Sequence, residues 1–285
     1  MQFYKTSIFL LLGTMSVSPI VVAQQSSIPN LAKFSAAPTS SVKKFDHSTV
    51  RLLTGEFKDG VWQIGVEIKM GPKWKTYWKV PGDAGVPPEF IWKNSSNLAN
   101  AKVQYPAPHR YEDITGKSIG YKKHVIFPVK LTPIESGKAV KVDLRFYYAV
   151  CSDICVPAQA NIGMTLPARP VSSASLPAIK AFEALVPKTN EPRLVIQKTE
   201  VLQINGKPNL AVSITGKINE KTDVLVEGYE DAFFAAPLAP QIHDNMTVVL
   251  LPIEGLEEGA KLSGQKLKLT VLSGDVRLVS DVIVK

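Results

Sequence analysis

From Ser48 onward the chain is written in short runs that alternate apolar and polar residues, and this period of two limits it to half-buried strands. The clearest run is Val61-Trp62-Gln63-Ile64-Gly65-Val66-Glu67-Ile68-Lys69-Met70. Further strand-like runs are Lys75–Val80, Glu89–Trp92, His124–Leu131 and Val140–Tyr148. Turn-rich pieces such as Pro81–Pro88 separate them, and no long amphipathic helix intervenes. Many short strands with regular turns predict an all-β fold built as a β-sandwich.

The pattern changes at Ala168. Between there and Pro192 lie Pro170, Ser172, Ser173, Ser175 and Pro177, then Ala178–Val186, which predicts a two-turn helix. Strand patterns resume at Leu194–Gln197, Leu210–Ile214, Val224–Glu227, Met246–Leu251, Leu267–Leu272 and Val276–Val284. The expected organisation is a first β-sandwich domain over 47–167, a linker over 168–190, and a second β-sandwich over 191–285.

The amino terminus reads as an export signal over 1–23. Lys5 supplies the positive region, Ile8–Leu12 opens an apolar stretch, and Val21-Val22-Ala23 offers small residues for cleavage. Residues 24–46, rich in Ser, Ala, Pro and Gln, read as a flexible leader. The expected location is therefore an oxidising compartment outside the cytoplasm, where a cysteine pair persists as a disulfide.

Charge says less. The net +8 is uneven, because Glu191–Lys285 holds 10 basic and 13 acidic residues. The lysines of the basic part are scattered along strands, with no arginine-rich helix and no aromatic–basic RNA motif, so nucleic acid is not the expected partner. There is also no Gly-rich phosphate loop after a strand and no G-x-S-x-G elbow. No cofactor is expected, and the chain is expected to be a monomer.

The chemistry concentrates in the two cysteines, Cys151 and Cys155. In a straight strand, residues four apart lie about 13 Å from each other. A disulfide needs Cα atoms within roughly 7 Å. The pair can therefore bond only if Ser152-Asp153-Ile154 reverses the chain, which predicts a hairpin with Asp153 near its tip. Such a small ring stabilises little, since even a fifteen-residue loop gives only about 3 kcal/mol. It also suits attack by an external thiolate. Redox activity, a structural staple, and Cu(I) held by Cys151 and Cys155 stand as alternatives at this point. A zinc site would need two distant ligands such as His109 and His124, so no metal is expected there.

Several stretches resemble the amino-terminal periplasmic domain of the DsbD thiol:disulfide interchange proteins, especially the ScsB-like branch associated with copper tolerance. They are Trp74-Lys75-Thr76-Tyr77-Trp78, Pro81–Gly85 with Pro87-Pro88, Tyr105–Pro108, Gly116–Tyr121, and Tyr148–Pro157 around the cysteines. The resemblance implies an immunoglobulin-like fold whose hairpin pair takes electrons from a membrane-embedded thiol reductant and hands them to thioredoxin-fold periplasmic proteins. It makes Cys151 and Cys155 the catalytic pair, with Cys155 the nucleophile toward clients. It also implies a cap loop at Tyr111-Glu112-Asp113-Ile114-Thr115, where Glu112 and Asp113 occupy the acidic positions and Ile114, or Tyr111 in its place, the aromatic one. With no transmembrane or thioredoxin segment in the sequence, the expected reductant is a separate membrane protein. A non-catalytic interaction module with a structural disulfide is the competing expectation.

Overall fold

The structure is a computed structural model; it describes residues 37–285 except 83–84, 115, 172, 217, 230, 244–245 and 257–260. The export signal and most of the leader lie outside the described residues. The first eleven strands are β1 (Lys43–Phe45), β2 (Ser48–Lys58), β3 (Val61–Met70), β4 (Lys75–Gly82), β5 (Glu89–Ile91), β6 (Leu98–Val103), β7 (His109–Asp113), β8 (Gly116–Lys122), β9 (His124–Pro133), β10 (Val140–Cys151) and β11 (Cys155–Leu166). After α1 (Leu176–Glu183) come β12 (Leu194–Ile204), β13 (Lys207–Gly216), β14 (Asp223–Glu227), β15 (Phe233–Phe234), β16 (Gln241–His243), β17 (Met246–Glu254), β18 (Lys266–Ser273) and β19 (Val276–Ile283). The fold is all-β, as the alternation predicts, and immunoglobulin-like, as the resemblance implies. The expected leader ends differently: Lys43–Phe45 pairs with Ser48–Val50, and the Leu52 amide donates to Ser40 Oγ at 2.7 Å.

Two sheets face each other over the first core, in the orders β1-β2-β3-β9-β6 and β11-β10-β4-β8-β7, with β5 on the edge of β10. Strand alternation assigns the faces. On β10, Val140, Val142, Leu144, Phe146, Tyr148 and Val150 enter the core, and Ala160, Ile162, Met164 and Leu166 of β11 join them. The intervening positions of β10, ending in Ala149 and Cys151, face outward. Trp62 and Trp78 are buried in this core, while Trp74 and Trp92 pack at its margin.

Tight turns connect the ladders. Asp59 (φ 51°) and Gly60 (φ 78°) join β2 to β3, and Asn205 (φ 52°) and Gly206 (φ 72°) join β12 to β13. Both are two-residue loops with positive φ, whose twist matches that of the flanking strands. Helix α1 begins with Pro177 in its first turn and buries Ile179 against Leu53 and Ile126 on the outer face of the first sheet. Gly65 makes the room: a Cβ there would lie 2.7 Å from Ile126 Cγ2 and 3.1 Å from Ile179 Cγ1.

The second core collects Leu194, Leu210, Val212, Ile214, Val249, Leu251, Leu269 and Val271 among others, between the sheets β12-β13-β17-β15 and β14-β18-β19. Leu225 of β14 instead joins the first core. The two halves are also tied by charge. Arg110 Nε meets Asp223 Oδ1 at 3.0 Å, while Nη1 and Nη2 donate to the carbonyls of Phe234 and Val224, each at 3.0 Å. Lys79 pairs with Glu227 at 2.7 Å and Lys117 with Glu254 at 2.8 Å. Among the described residues, no helix is long and apolar enough to cross a membrane.

Candidate functional site

The β10–β11 hairpin forms as the cysteine spacing requires. Its ladder runs unbroken from Val140↔Leu166 to Cys151↔Cys155, and Ser152-Asp153-Ile154 close the tip, with the Ser152 amide donating to the Ile154 carbonyl at 3.0 Å. Cys151 and Cys155 are disulfide-bonded, with Cα atoms 4.2 Å apart. The two sulfurs are not equivalent. Cys151 is fully buried, whereas Cys155 is exposed, with Ile154 beside it 63% exposed.

Cys151 is buried although it faces away from the main core. Tyr77, Ala149 and Cys151 form a separate small apolar cluster on the outer side of the sheet. Strand β4 builds it. Trp78 of β4 turns into the core, so Lys75 and Tyr77, on the other parity, turn outward beside the cysteines. The Thr76 hydroxyl donates to the Ala149 carbonyl at 2.8 Å and clamps β4 to β10.

Tyr77 itself is fully buried. A Cβ on Gly85 would fall 2.7 Å from Tyr77 Cδ1 and 2.4 Å from Pro81 Cβ, so only glycine fits at that position against the ring. Gly120 supports the opposite side: a Cβ there would come 2.0 Å from the Thr76 carbonyl oxygen. Held between them, Tyr77 directs its hydroxyl to Cys155 Sγ at 3.3 Å. A disulfide sulfur carries no proton, so the tyrosine is the donor. Burial, and then the Asp113 carboxylate, push the Tyr77 pKa up, so the O–H stays protonated at neutral pH.

Lys75 is the ladder partner of Cys151. Its ammonium is buried and donates to Asp113 Oδ2 at 2.8 Å and Ser118 Oγ at 2.9 Å. The stretch expected as a cap loop is largely the edge strand β7. Pairing Tyr111↔Ser118 and Glu112↔Lys117 puts Tyr111 and Asp113 on the disulfide face and Glu112 on the opposite one. Asp113 thus joins the cysteines' surroundings through Lys75, and Glu112 does not. Tyr111 is half-buried, with Lys122 Nζ 4.3 Å from its ring centroid. Ile114 projects into solvent, 81% exposed, and Thr115 lies outside the described residues.

His109 and His124 do not meet. His109 is exposed on β7, and His124 Nε2 lies 3.0 Å from Glu67 Oε1 on the other sheet. Among the described residues, no three His, Cys, Asp or Glu side chains gather as a metal cluster. Lys75 and Tyr77 are site neighbours that sequence reasoning did not single out. The available signal was their alternation with the core residue Trp78.

Fold and site together define an immunoglobulin-like domain that carries a half-exposed disulfide on one hairpin tip. Residues 50–167 match the family described as thiol:disulfide interchange protein DsbD, N-terminal. Among solved structures, the crystal structure of the N-terminal periplasmic domain of ScsB from Proteus mirabilis is similar. It has a TM-score of 0.69 and 19% identity, and the match covers 87% of this chain and 98% of that one. At that identity the likeness is one of fold. Curated proteins gave no sequence match.

Proposed function

We propose that this protein is a periplasmic thiol–disulfide exchange module, an oxidoreductase that takes electrons from a membrane-embedded thiol reductant and passes them to thioredoxin-fold partners. The observation that carries the reading is the asymmetry of the pair: one sulfur faces solvent and the other lies beneath a tyrosine and a lysine. The family match over residues 50–167 supports it. In this reading residues 47–167 are the exchange domain, 168–190 the link, and 191–285 a second sandwich docked against it.

The chemistry balances without a cofactor. A reductant thiolate attacks Cys155 Sγ, the S–S bond breaks, and its electron pair leaves on Cys151. A second reductant thiolate then resolves the mixed disulfide and leaves this protein with two reduced sulfurs. Toward a client, the Cys155 thiolate attacks a client sulfur and expels the other as a thiolate. Cys151 next attacks Cys155, the second client thiolate departs, and the Cys151–Cys155 disulfide is restored. Tyr77 donates to the Cys155 sulfur throughout. Asp113 acts through Lys75, while Tyr111 and Ile114 border the partner's approach. The exposed Ile154 and Ile114 give that partner apolar surface beside the reactive sulfur.

Equilibration with thiol redox buffers, followed by trapping of free thiols, tests this. A potential above about −300 mV is expected of an exchange pair, because structural disulfides typically lie below it. A pair that resists reduction in the folded protein makes the disulfide a staple and overturns the reading.

A further inference from the structure

Lysine is almost never fully buried unless paired. Lys75 is 1% exposed, and its ammonium is bound to Asp113 and Ser118. A buried ion pair is a weak source of stability, because desolvation offsets most of the attraction. Its placement is more informative. Lys75 stands directly opposite Cys151 in an antiparallel ladder, and residues so paired present their side chains on one face with Cβ atoms roughly 4.5–5.5 Å apart. A buried lysine therefore stands beside the buried cysteine, with its ammonium held by Asp113 and Ser118 on the same face of the sheet.

We infer that Lys75 is a positioning residue for Cys151: its ammonium keeps the opened Cys151 sulfur as a thiolate, and Asp113 is the counter-ion that restrains it. This rests on the exchange reading above. Both directions of exchange pass through Cys151 as a thiolate. It is the leaving sulfur when Cys155 is attacked, and the attacking sulfur when the mixed disulfide resolves. Burial alone raises a thiol's pKa and would protonate that sulfur, whereas an adjacent cation has the opposite effect. The other titratable groups on this face include Tyr77 of β4, Lys122 of β8, His109, Tyr111 and Asp113 of β7, Cys155 of β11 and, farther along β10, Tyr147, Arg145, Asp143 and Lys141, with Asp153 exposed at the tip. Asp113 is already bonded to Lys75, which makes its removal the natural counter-test.

The full chain carrying Cys155→Ser leaves Cys151 as a lone thiol, whose ionisation can be followed by thiolate ultraviolet absorbance. Lys75→Met should cut the thiolate fraction at neutral pH about tenfold, the effect of one pKa unit. Lys75→Arg should restore most of it, and Asp113→Asn should raise it. Unchanged ionisation in Lys75→Met, or movement in the same direction by Lys75→Met and Asp113→Asn, overturns the inference. With both cysteines present, Lys75→Met should make reduction about tenfold less favourable, or ~30 mV more negative for a two-electron couple. If the native pair resists reduction while lone Cys151 still responds to Lys75, the exchange reading alone fails.

Discussion

Tyr77→Phe removes one oxygen from the site and leaves the ring against Gly85 unchanged. In the oxidised protein the hydroxyl meets Cys155 Sγ at 3.3 Å, where a neutral disulfide sulfur is a weak acceptor. In the reduced protein the acceptor becomes a thiolate, and a hydrogen bond to a charged group contributes about 1.5–3 kcal/mol. The difference between the states, at the low end because Cys155 is exposed, is about 1.5 kcal/mol in favour of the reduced form. Its loss should make the reduced pair roughly tenfold less favoured, a shift of ~30 mV to more negative potential. The assay is redox equilibration of parent and variant against one buffer series, with thiol trapping and gel shift. A parallel thermal melt should show that the fold is retained. An unchanged potential, or a shift to more positive values, refutes the claim that Tyr77 stabilises the Cys155 thiolate.

Three further outcomes follow from the packing and charge. Gly120→Ala would drive a Cβ to 2.0 Å from the Thr76 carbonyl oxygen, so it should cost about 3 kcal/mol, the upper end of overpacking penalties, and lower the melting temperature. Burial alone would raise the Glu67 pKa, but hydrogen bonds from His124 and Arg51 and the charges of Arg51 and Lys69 override it and hold the group at about 2, against an ordinary 4.5. The folded state thus binds that proton less readily than the unfolded state. Its contribution of up to about 3 kcal/mol is complete above pH 4.5, is lost as pH falls toward 2, and should vanish from acid unfolding curves of Glu67→Gln. Arg110→Ala leaves Asp223 and the Phe234 and Val224 carbonyls without their shared donor, which should cost about 2–3 kcal/mol in urea unfolding. An Arg110→Ala midpoint equal to that of the parent would show that this contact adds nothing to stability.

Much of this molecule was legible from alternation. The run Val61–Met70 is β3 residue for residue, and the lines through Val140–Tyr148 and Leu267–Leu272 fall inside β10 and β18. The hairpin at Cys151–Cys155 was forced by chain geometry, since an extended segment cannot close so short a disulfide. Asp59-Gly60 and Asn205-Gly206 are equally plain turn signals and would have fixed two more ladder registers. Strand β7 was harder. His109–Asp113 is mostly polar on both faces, because Arg110 serves the second sandwich and Asp113 serves Lys75, so no apolar period marks it.

The site was only half legible for a related reason. Alternation shows that Lys75 and Tyr77 share a face, but not what that face meets. The neighbour of Lys75 is Cys151, 76 positions along the chain, and only the placement of β4 beside the end of β10 makes them partners. A sequence therefore displays the sulfur pair and hides the groups that set its chemistry. The buried lysine was the one residue whose cost could have raised suspicion. A cation at a position with strand parity opposite to Trp78 would ordinarily be solvated, and its burial is intelligible only once Asp113, Ser118 and Cys151 are seen around it. The same arrangement explains why the cysteines are inequivalent. The outward face of the sheet is covered over Cys151 by the tyrosine and lysine of β4, and that cover gives out one strand further, on β11, where Cys155 is exposed.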